Sequence, residues 1–252
     1  MSEKLVPPAD IAIHAPTSHM ALSHSRLSDF NQCPRKFYLK YISKAENFQM
    51  KQEDKSIHLV RGDNVHKALE AYLVKRKAGE QNIPPSSLTE VQETRPLIEG
   101  YIKAFGIDNI HPEAQIAIND KWEKVTWFDK QAYYRAILDL ICLGPTVAVV
   151  GDYKTGKFKD YAPTNGMGQL ELTSAIALSI FQIEEVKTIY FFVDHKKTIQ
   201  KNYTSKDKTK LVDHFIGEHD KVNAEKNFDP KSNEFCTWCE ATKAQCPKSR
   251  KL

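Results

Sequence analysis

Apolar residues recur at helical spacing between positions 58 and 78, where Val65, Ala68, Leu69, Tyr72 and Leu73 fall on one face. A second helical pattern runs from Ser23 to about Lys44 and is interrupted at Cys33-Pro34. Ser23 and Ser25 can cap its start, and Pro34 suits the first turn of a new helix. Residues 45–57 read as a polar connection, and a further helix is expected over 88–105, after the Pro84-Pro85 break. The pattern then changes. Segments 114–118, 121–128, 131–143 and 146–154 are short and rich in β-branched or aromatic residues, with turn signals between them. A helix fits 167–182, strands fit 186–194 and 197–204, and a last helix fits 207–224.

This order of helices, a run of strands, one helix and more strand predicts an α+β chain with a mixed central β-sheet flanked by helices. Four segments are expected: a flexible N-terminal arm over 1–22, a helical region over 23–110, a core over 111–225 and a cysteine-bearing tail over 226–252. The 252 residues are 41% hydrophobic, enough for a core that folds without help from a metal. A net charge of +4 permits a polyanionic partner without requiring one. No apolar run is long enough to cross a bilayer and the N-terminus lacks a secretory layout, so no membrane partner and a cytoplasmic location are expected. In that compartment the five cysteines are not expected to form disulfides.

Two acidic residues stand in apolar surroundings. Asp139 lies inside AILDLICL and Asp152 ends TVAVVGD. A buried carboxylate is costly unless paired or metal-bound. If Pro145 and Thr146 are the two central residues of the hairpin turn, Gly144 faces Val147 and Asp139 faces Asp152; a loop one residue longer shifts the pairing by one. Like charges so placed repel, and a divalent cation removes the conflict. Strand alternation puts Lys154 on the face of Asp152 while Tyr153 points away. The competing reading is a buried Asp–Lys pair beside a solvated second aspartate.

Leu138-Asp139-Leu140 and Gly151-Asp152-Tyr153-Lys154-Thr155-Gly156 resemble motifs II and III of the PD-(D/E)xK nucleases. The chain is similar to the RecB-type exonucleases of that superfamily, including the CRISPR-associated and AddB-like members with an iron–sulfur cluster. Further segments carry the resemblance in order: S-x-S-x-L-x-x-F-x-x-C-P from Ser23 to Pro34, R-G-D-N-V-H-K-A-L-E over 61–70, Gln169 opening Q-L-E-L-T, and F-C-T-W-C followed by Cys246. Departures are Leu138 in place of the proline that names the superfamily, Thr173 where the glutamine motif ends in tyrosine, and a six-residue last cysteine gap.

The resemblance implies a restriction-endonuclease-like core whose N- and C-terminal segments are joined by a metal cluster. It implies that His66, Asp139, Asp152 and the carbonyl of Tyr153 hold Mg²⁺ or Mn²⁺, with Asp139, Asp152, Lys154 and Gln169 as the catalytic set. Glu113, just before the first expected strand, corresponds to an acid of motif I, its role left open. The implied activity is metal-dependent cleavage of DNA, single-stranded DNA or DNA ends for preference, as an exonuclease in recombination, repair or phage or CRISPR DNA processing. The setting would be the cytoplasm of a bacterial or phage-infected cell. No phosphate-binding G-x-x-x-x-G-K-[ST] loop is present, so unwinding falls to a helicase or recombination partner.

Cys33, Cys236, Cys239 and Cys246 offer four soft ligands, and local CxxC spacing suits either zinc or an iron–sulfur cluster. The resemblance favours a 4Fe-4S cluster. Cys142, in an apolar strand, reads as a small buried hydrophobe. Arg35, Lys36 and Lys40 interleave with Phe37, Tyr38 and Tyr41, a mixture able to hold phosphates and stack bases, and Lys196, Lys197, Lys201, Lys206, Lys208 and Lys210 form a second basic group. The bland alternatives are a Tyr38 packed in the core and lysines on solvated faces. A non-catalytic nucleic-acid-binding module with a structural iron–sulfur or zinc site is the competing function.

Overall fold

The computed structural model describes residues 20–49, 57–156, 158 and 168–250, apart from the side chain of His58. The expected arm over 1–22 therefore lies almost wholly outside the described residues. These residues form two compact units, one within 57–215 and the other drawn from 20–49 and 216–250.

The first unit is built on a six-stranded mixed sheet flanked by helices. Its strands are β1 (Ile110–Ile118), β2 (Lys124–Val125), β3 (Tyr134–Leu143), β4 (Val147–Lys154), β5 (Glu185–Phe192) and β6 (Lys197–Thr204), in the order β2-β1-β3-β4-β5-β6. Only the β4–β5 pair is parallel, and the helix Gly168–Ile180 makes the crossover that a parallel pair needs. The helices Ile57–Lys77 and Thr89–Phe105 precede the sheet, the second ending at Gly106, whose φ of 79° lies in the region open to glycine.

Alternation sorts the strand residues to two faces. Leu140, Cys142, Val149, Tyr153, Ile189 and Phe191 share a core with Val65, Leu69, Leu73, Val91 and Ile98 of the two leading helices. Cys142 is fully buried there, in the role of a small hydrophobe. On the other face Tyr190 and Phe192 pack against Leu170 of the crossover helix. At the turn, the Gly144 N–H donates to the Val147 carbonyl at 2.8 Å, and Leu140 pairs with Gly151. The two-residue turn thus sets the register that brings Asp139 opposite Asp152.

Two strands differ from expectation. The segment 121–128 shrinks to two paired residues because the Asn119 carboxamide oxygen accepts from the N–H groups of Lys121 and Glu123, holding the chain in a tight turn. The strand β1 begins earlier than expected, at Ile110, and runs through Pro112, so Glu113 lies within the sheet.

In the second unit the helix His24–Gln32 is capped by the Ser23 hydroxyl, and Pro34 opens the short helix Pro34–Phe37, which continues as a π-helical turn over Tyr38–Ile42. Phe37, Tyr38 and Phe228 form its aromatic centre, with Tyr38 and Phe228 ring centroids 5.3 Å apart. Side chains from the start of the chain bind the tail directly. Asn47 and Gln245 exchange amide hydrogen bonds of 2.8 and 3.0 Å, and Asn233 donates to the Gln32 carbonyl at 3.0 Å. The helix Lys208–Ala224 begins in the first unit and ends in the second. Among the described residues no helix is long and apolar enough to cross a membrane.

Gly151 makes the sheet sensitive to a single methyl group. A Cβ there would collide with the Phe191 ring on the neighbouring strand. Gly151→Ala is expected to lower stability by about 1–3 kcal/mol through overpacking, read as a fall in the thermal midpoint.

Candidate metal centre

The register places three acids in one row across three strands. Pairing of Pro112 with Leu140 and of Ala114 with Leu138 sets Glu113 opposite Asp139, and the β3–β4 pairing sets Asp139 opposite Asp152. The β3–β4 ladder stops at this row: the Tyr153 N–H donates at 2.8 Å to the Asp139 carboxylate. Glu113 has φ of 47°, left-handed backbone that a glutamate adopts only under constraint.

The helix Ile57–Lys77 delivers His66 to the same place. Gly62 lies one turn earlier, where a Cβ would sit 3.0 Å from the Thr155 hydroxyl just after β4. The preceding Arg61 forks onto Asp194 through contacts of 2.7 and 2.9 Å and also pairs with Glu90, while Asp194 accepts from the Gly156 N–H. Helix, β4 end and β5 end are thereby clamped together. His66 Nε2 donates to the Tyr153 carbonyl at 2.9 Å, which turns Nδ1 toward Asp139 Oδ2 at 3.4 Å and Glu113 Oε1 at 3.9 Å. Fixing one ring nitrogen on a carbonyl is how a ligating histidine is commonly held with the other nitrogen toward a metal.

One ligand atom each from His66, Glu113 and Asp139 lies within 4.8 Å of the others. Asp152 is engaged differently: Oδ1 accepts from Gln169 Nε2 at 2.6 Å, and Oδ2 lies 2.7 Å from Lys154 Nζ. Lys154 in turn donates to Gln169 Oε1 at 3.1 Å, closing a triangle. The expected set therefore separates into a cation-compatible group, in which Glu113 stands where Asp152 was expected, and an Asp152–Lys154–Gln169 triangle beside it. The Tyr153 carbonyl orients His66. The sequence placed Glu113, the motif I candidate, ahead of the first strand because Pro112 disguises a strand that continues through it.

Crowding shows in the proton affinities. Burial and then the charge of Asp139 raise Glu113 above the ordinary carboxylate range. The same two causes, opposed by Lys154, lift Asp152 to about 6. Burial depresses His66, but its hydrogen bond to Asp139 and the Asp139 charge outweigh this and carry it to about 9. Carboxylates with one imidazole and a nearby carbonyl form a hard, oxygen-rich donor set suited to Mg²⁺ or Mn²⁺.

With this geometry established, the sequence profile of the PD-(D/E)XK nuclease superfamily matches residues 21–247. The chain belongs to that superfamily. PD-(D/E)XK nucleases use divalent metals, and the six-stranded mixed sheet agrees with their restriction-endonuclease-like fold. A search of curated proteins returns no match. Among solved structures, the crystal structure of SSO0001 is similar with a TM-score of 0.44 and 16% identity, over 85% of this chain and 81% of that one. An alkaline exonuclease from Laribacter hongkongensis, LHK-Exo, is similar with a TM-score of 0.30 and 12% identity, over 80% of this chain and 89% of that one. Scores and identities this low carry no functional weight.

The second unit holds the cysteines. Cys33, Cys236, Cys239 and Cys246 line one cavity of about 650 Å³, together with Arg35 and Trp238. The backbone N–H groups of Lys231 and Asn233 donate to the sulfurs of Cys33 and Cys236, each at 3.4 Å. Burial raises the Cys246 thiol, Cys33 and Cys239 add to the rise, and Arg35 opposes it.

Part of the basic segment is engaged within the protein itself. Tyr38 is buried on Phe228 and presents no face to a base. Lys36 and Lys40 both pair with Asp29, at 2.7 and 2.8 Å, and Tyr41 donates to the same carboxylate. In the second basic group Lys196 pairs with Glu93 and Lys201 with Glu171. Thr173 is buried, its hydroxyl on the Leu170 carbonyl.

Glu113→Gln tests the crowding. A carboxylate raised by folding destabilises the native state progressively as pH climbs through the ordinary carboxylate range, and fully above its raised pKa. The variant is therefore expected to melt higher than the parent in EDTA at neutral pH, by roughly 2–4 °C for each kcal/mol of repulsion relieved, with the difference vanishing in acid. Its stabilisation by added Mn²⁺ should shrink. Melting curves at two pH values, with and without Mn²⁺, check both expectations.

Proposed function

We propose that this chain is a Mg²⁺- or Mn²⁺-dependent deoxyribonuclease of the RecB type, acting as an exonuclease on single-stranded DNA or DNA ends in recombination, repair or phage or CRISPR DNA processing. The observation that carries this reading is the row of Glu113, Asp139 and Asp152, with His66 on one side and Lys154 and Gln169 on the other. His66, Glu113 and Asp139 would hold the ion, and the closeness of Asp152 to Asp139 lets it join them. A bound divalent ion supplies charge neutralisation at the scissile phosphate and acidifies a water molecule. Lys154 Nζ, held by Asp152 and Gln169, offers a fixed positive charge to the anionic transition state. Gln169 sets the direction of that ammonium. His66 keeps Nδ1 toward the carboxylates because its other nitrogen is committed to Tyr153.

Digestion of end-labelled single- and double-stranded DNA, with and without Mn²⁺, tests the activity and its strand preference. Asp139→Ala and Lys154→Ala are each expected to lower cleavage roughly a hundredfold or more. Near-parental turnover by either variant, in a preparation free of contaminating nuclease, removes the site from the proposal.

The same reading assigns a 4Fe-4S cluster to the four cysteines. A shared cavity, two N–H donors on sulfur and a cation nearby support thiolate ligation. Cys33→Ser and Cys239→Ser are expected to lose iron alike and Cys142→Ser to keep it, measured by elemental analysis of anaerobically purified protein. One zinc and no iron in the parent protein would overturn the assignment.

A further inference from the structure

The turn between β2 and β3 carries an aromatic side chain that the fold does not use. Phe128 is 85% exposed, and Trp127 beside it is half-buried. The turn beneath is well anchored. Asp129 donates its N–H to the Thr126 carbonyl at 3.1 Å, and its own carbonyl accepts from Ala132 at 3.2 Å. Its carboxylate takes the Gln131 N–H at 2.8 Å. A ring held outward on so fixed a base is available to a ligand, whereas folding gains nothing from it.

A second, independent feature adjoins it. The Arg135 guanidinium lies over the Trp127 ring, 5.7 Å from its centroid, and Arg135 Nε is buried with no hydrogen-bond partner among the described residues. That atom is enclosed and out of a ligand's reach, so a phosphate would be met by the terminal nitrogens of the guanidinium, whose planar fork suits it. Lys121, Lys124 and Lys130 are exposed around the patch and are matched in number by Asp120, Glu123 and Asp129, of which Glu123 accepts from the Asn119 amide and Asp129 from its own turn. Asp120 is the remaining acid of this turn region and is exposed.

The patch shares β3 with the carboxylate row. Arg135, Ile137 and Asp139 share one face of β3; Ile137 is 45% exposed, and its neighbour across the ladder, Gln115, is also exposed. This face is open at the Gln115–Ile137 row between the carboxylates and Arg135, and is covered beside Arg135, where Ala117 is buried. Asp139 lies four strand positions from Arg135, a path of about 14 Å.

We propose that Trp127, Phe128 and Arg135 form a nucleotide subsite of the substrate strand, the rings stacking a base and the guanidinium holding a phosphate. The proposal rests on the nuclease reading for its choice of occupant. Stacking and charge together hold a single strand with little regard to sequence, because every base offers a π-face. The subsite would fix the strand a set number of nucleotides from the point of cleavage.

Binding without cleavage tests this, with EDTA present and two labelled probes of equal length: an oligothymidylate and an abasic deoxyribose-phosphate oligomer. The parent protein is expected to prefer the thymidylate. Phe128→Ala should weaken thymidylate binding about five- to a hundredfold and leave the abasic probe unaffected, with an unchanged melting midpoint because the ring is exposed. Arg135→Gln should weaken both probes and reduce the slope of log affinity against log salt by about one, and Arg135→Lys should restore that slope. If Phe128→Ala keeps the parental preference, or the parent shows none, the subsite is overturned. Cleavage with Mn²⁺ is scored separately. A parent that prefers the thymidylate but cuts nothing overturns the nuclease reading and leaves the subsite standing.

Discussion

Repulsion among carboxylates is the constraint around which the first unit is organised. Glu113, Asp139 and Asp152 occupy one row of the sheet, and two of them are raised in pKa by burial and by Asp139. Nothing in a folding core favours such an arrangement, since apolar residues at these positions would pack without penalty. The protein meets the cost with cations of its own on either flank. His66 is drawn toward protonation by Asp139, and Lys154 pairs with Asp152. These partners hold the acids together while keeping their oxygens within reach of a divalent ion.

Backbone geometry supplies the rest. The two-residue turn at Pro145-Thr146 fixes the β3–β4 register, and a slip of one residue would send every side chain of β4 to the opposite face. At the acidic row the ladder gives way, and a side-chain oxygen of Asp139 accepts the N–H of Tyr153. The Tyr153 carbonyl serves His66, so one residue uses its N–H to place the acid and its carbonyl to place the base. Arg61 extends this control outward by tying its helix to Asp194, and through Asp194 to Gly156. The centre is thus held from its helix, from two adjacent strands and from the loop beyond.

Much of this was legible in the sequence, because period-two and period-3.6 patterns are strong where a face is buried. The helix over 58–78, the β3–β4 hairpin and the strand over 197–204 follow their patterns closely. The acids in AILDLICL and VVGDYK stood out because a charge within an apolar run conflicts with its surroundings. What was not legible depended on particular side-chain contacts and backbone choices that the apolar and polar pattern does not record. Pro112 concealed the strand that contains Glu113. The Asn119 side chain, accepting from two N–H groups, replaced an expected strand with a turn. The lysines near Tyr38 read as a nucleic-acid path because the pattern could not reveal that Asp29 would claim them. A basic residue's availability is decided by tertiary neighbours, and local sequence holds only half of that information.

The backbone of Glu113 has a further consequence. Left-handed φ is tolerated best by glycine, then by asparagine and aspartate, while a longer side chain gives up roughly 1–2 kcal/mol to adopt it. Glycine would relax the backbone at 113 but carry no oxygen, and aspartate would carry one on a shorter stem. Reach and conformational ease are therefore in opposition at this one position. Random substitution there cannot improve local stability without withdrawing the carboxylate from Asp139 and His66, so position 113 is a site at which gains in robustness and loss of the centre are the same event.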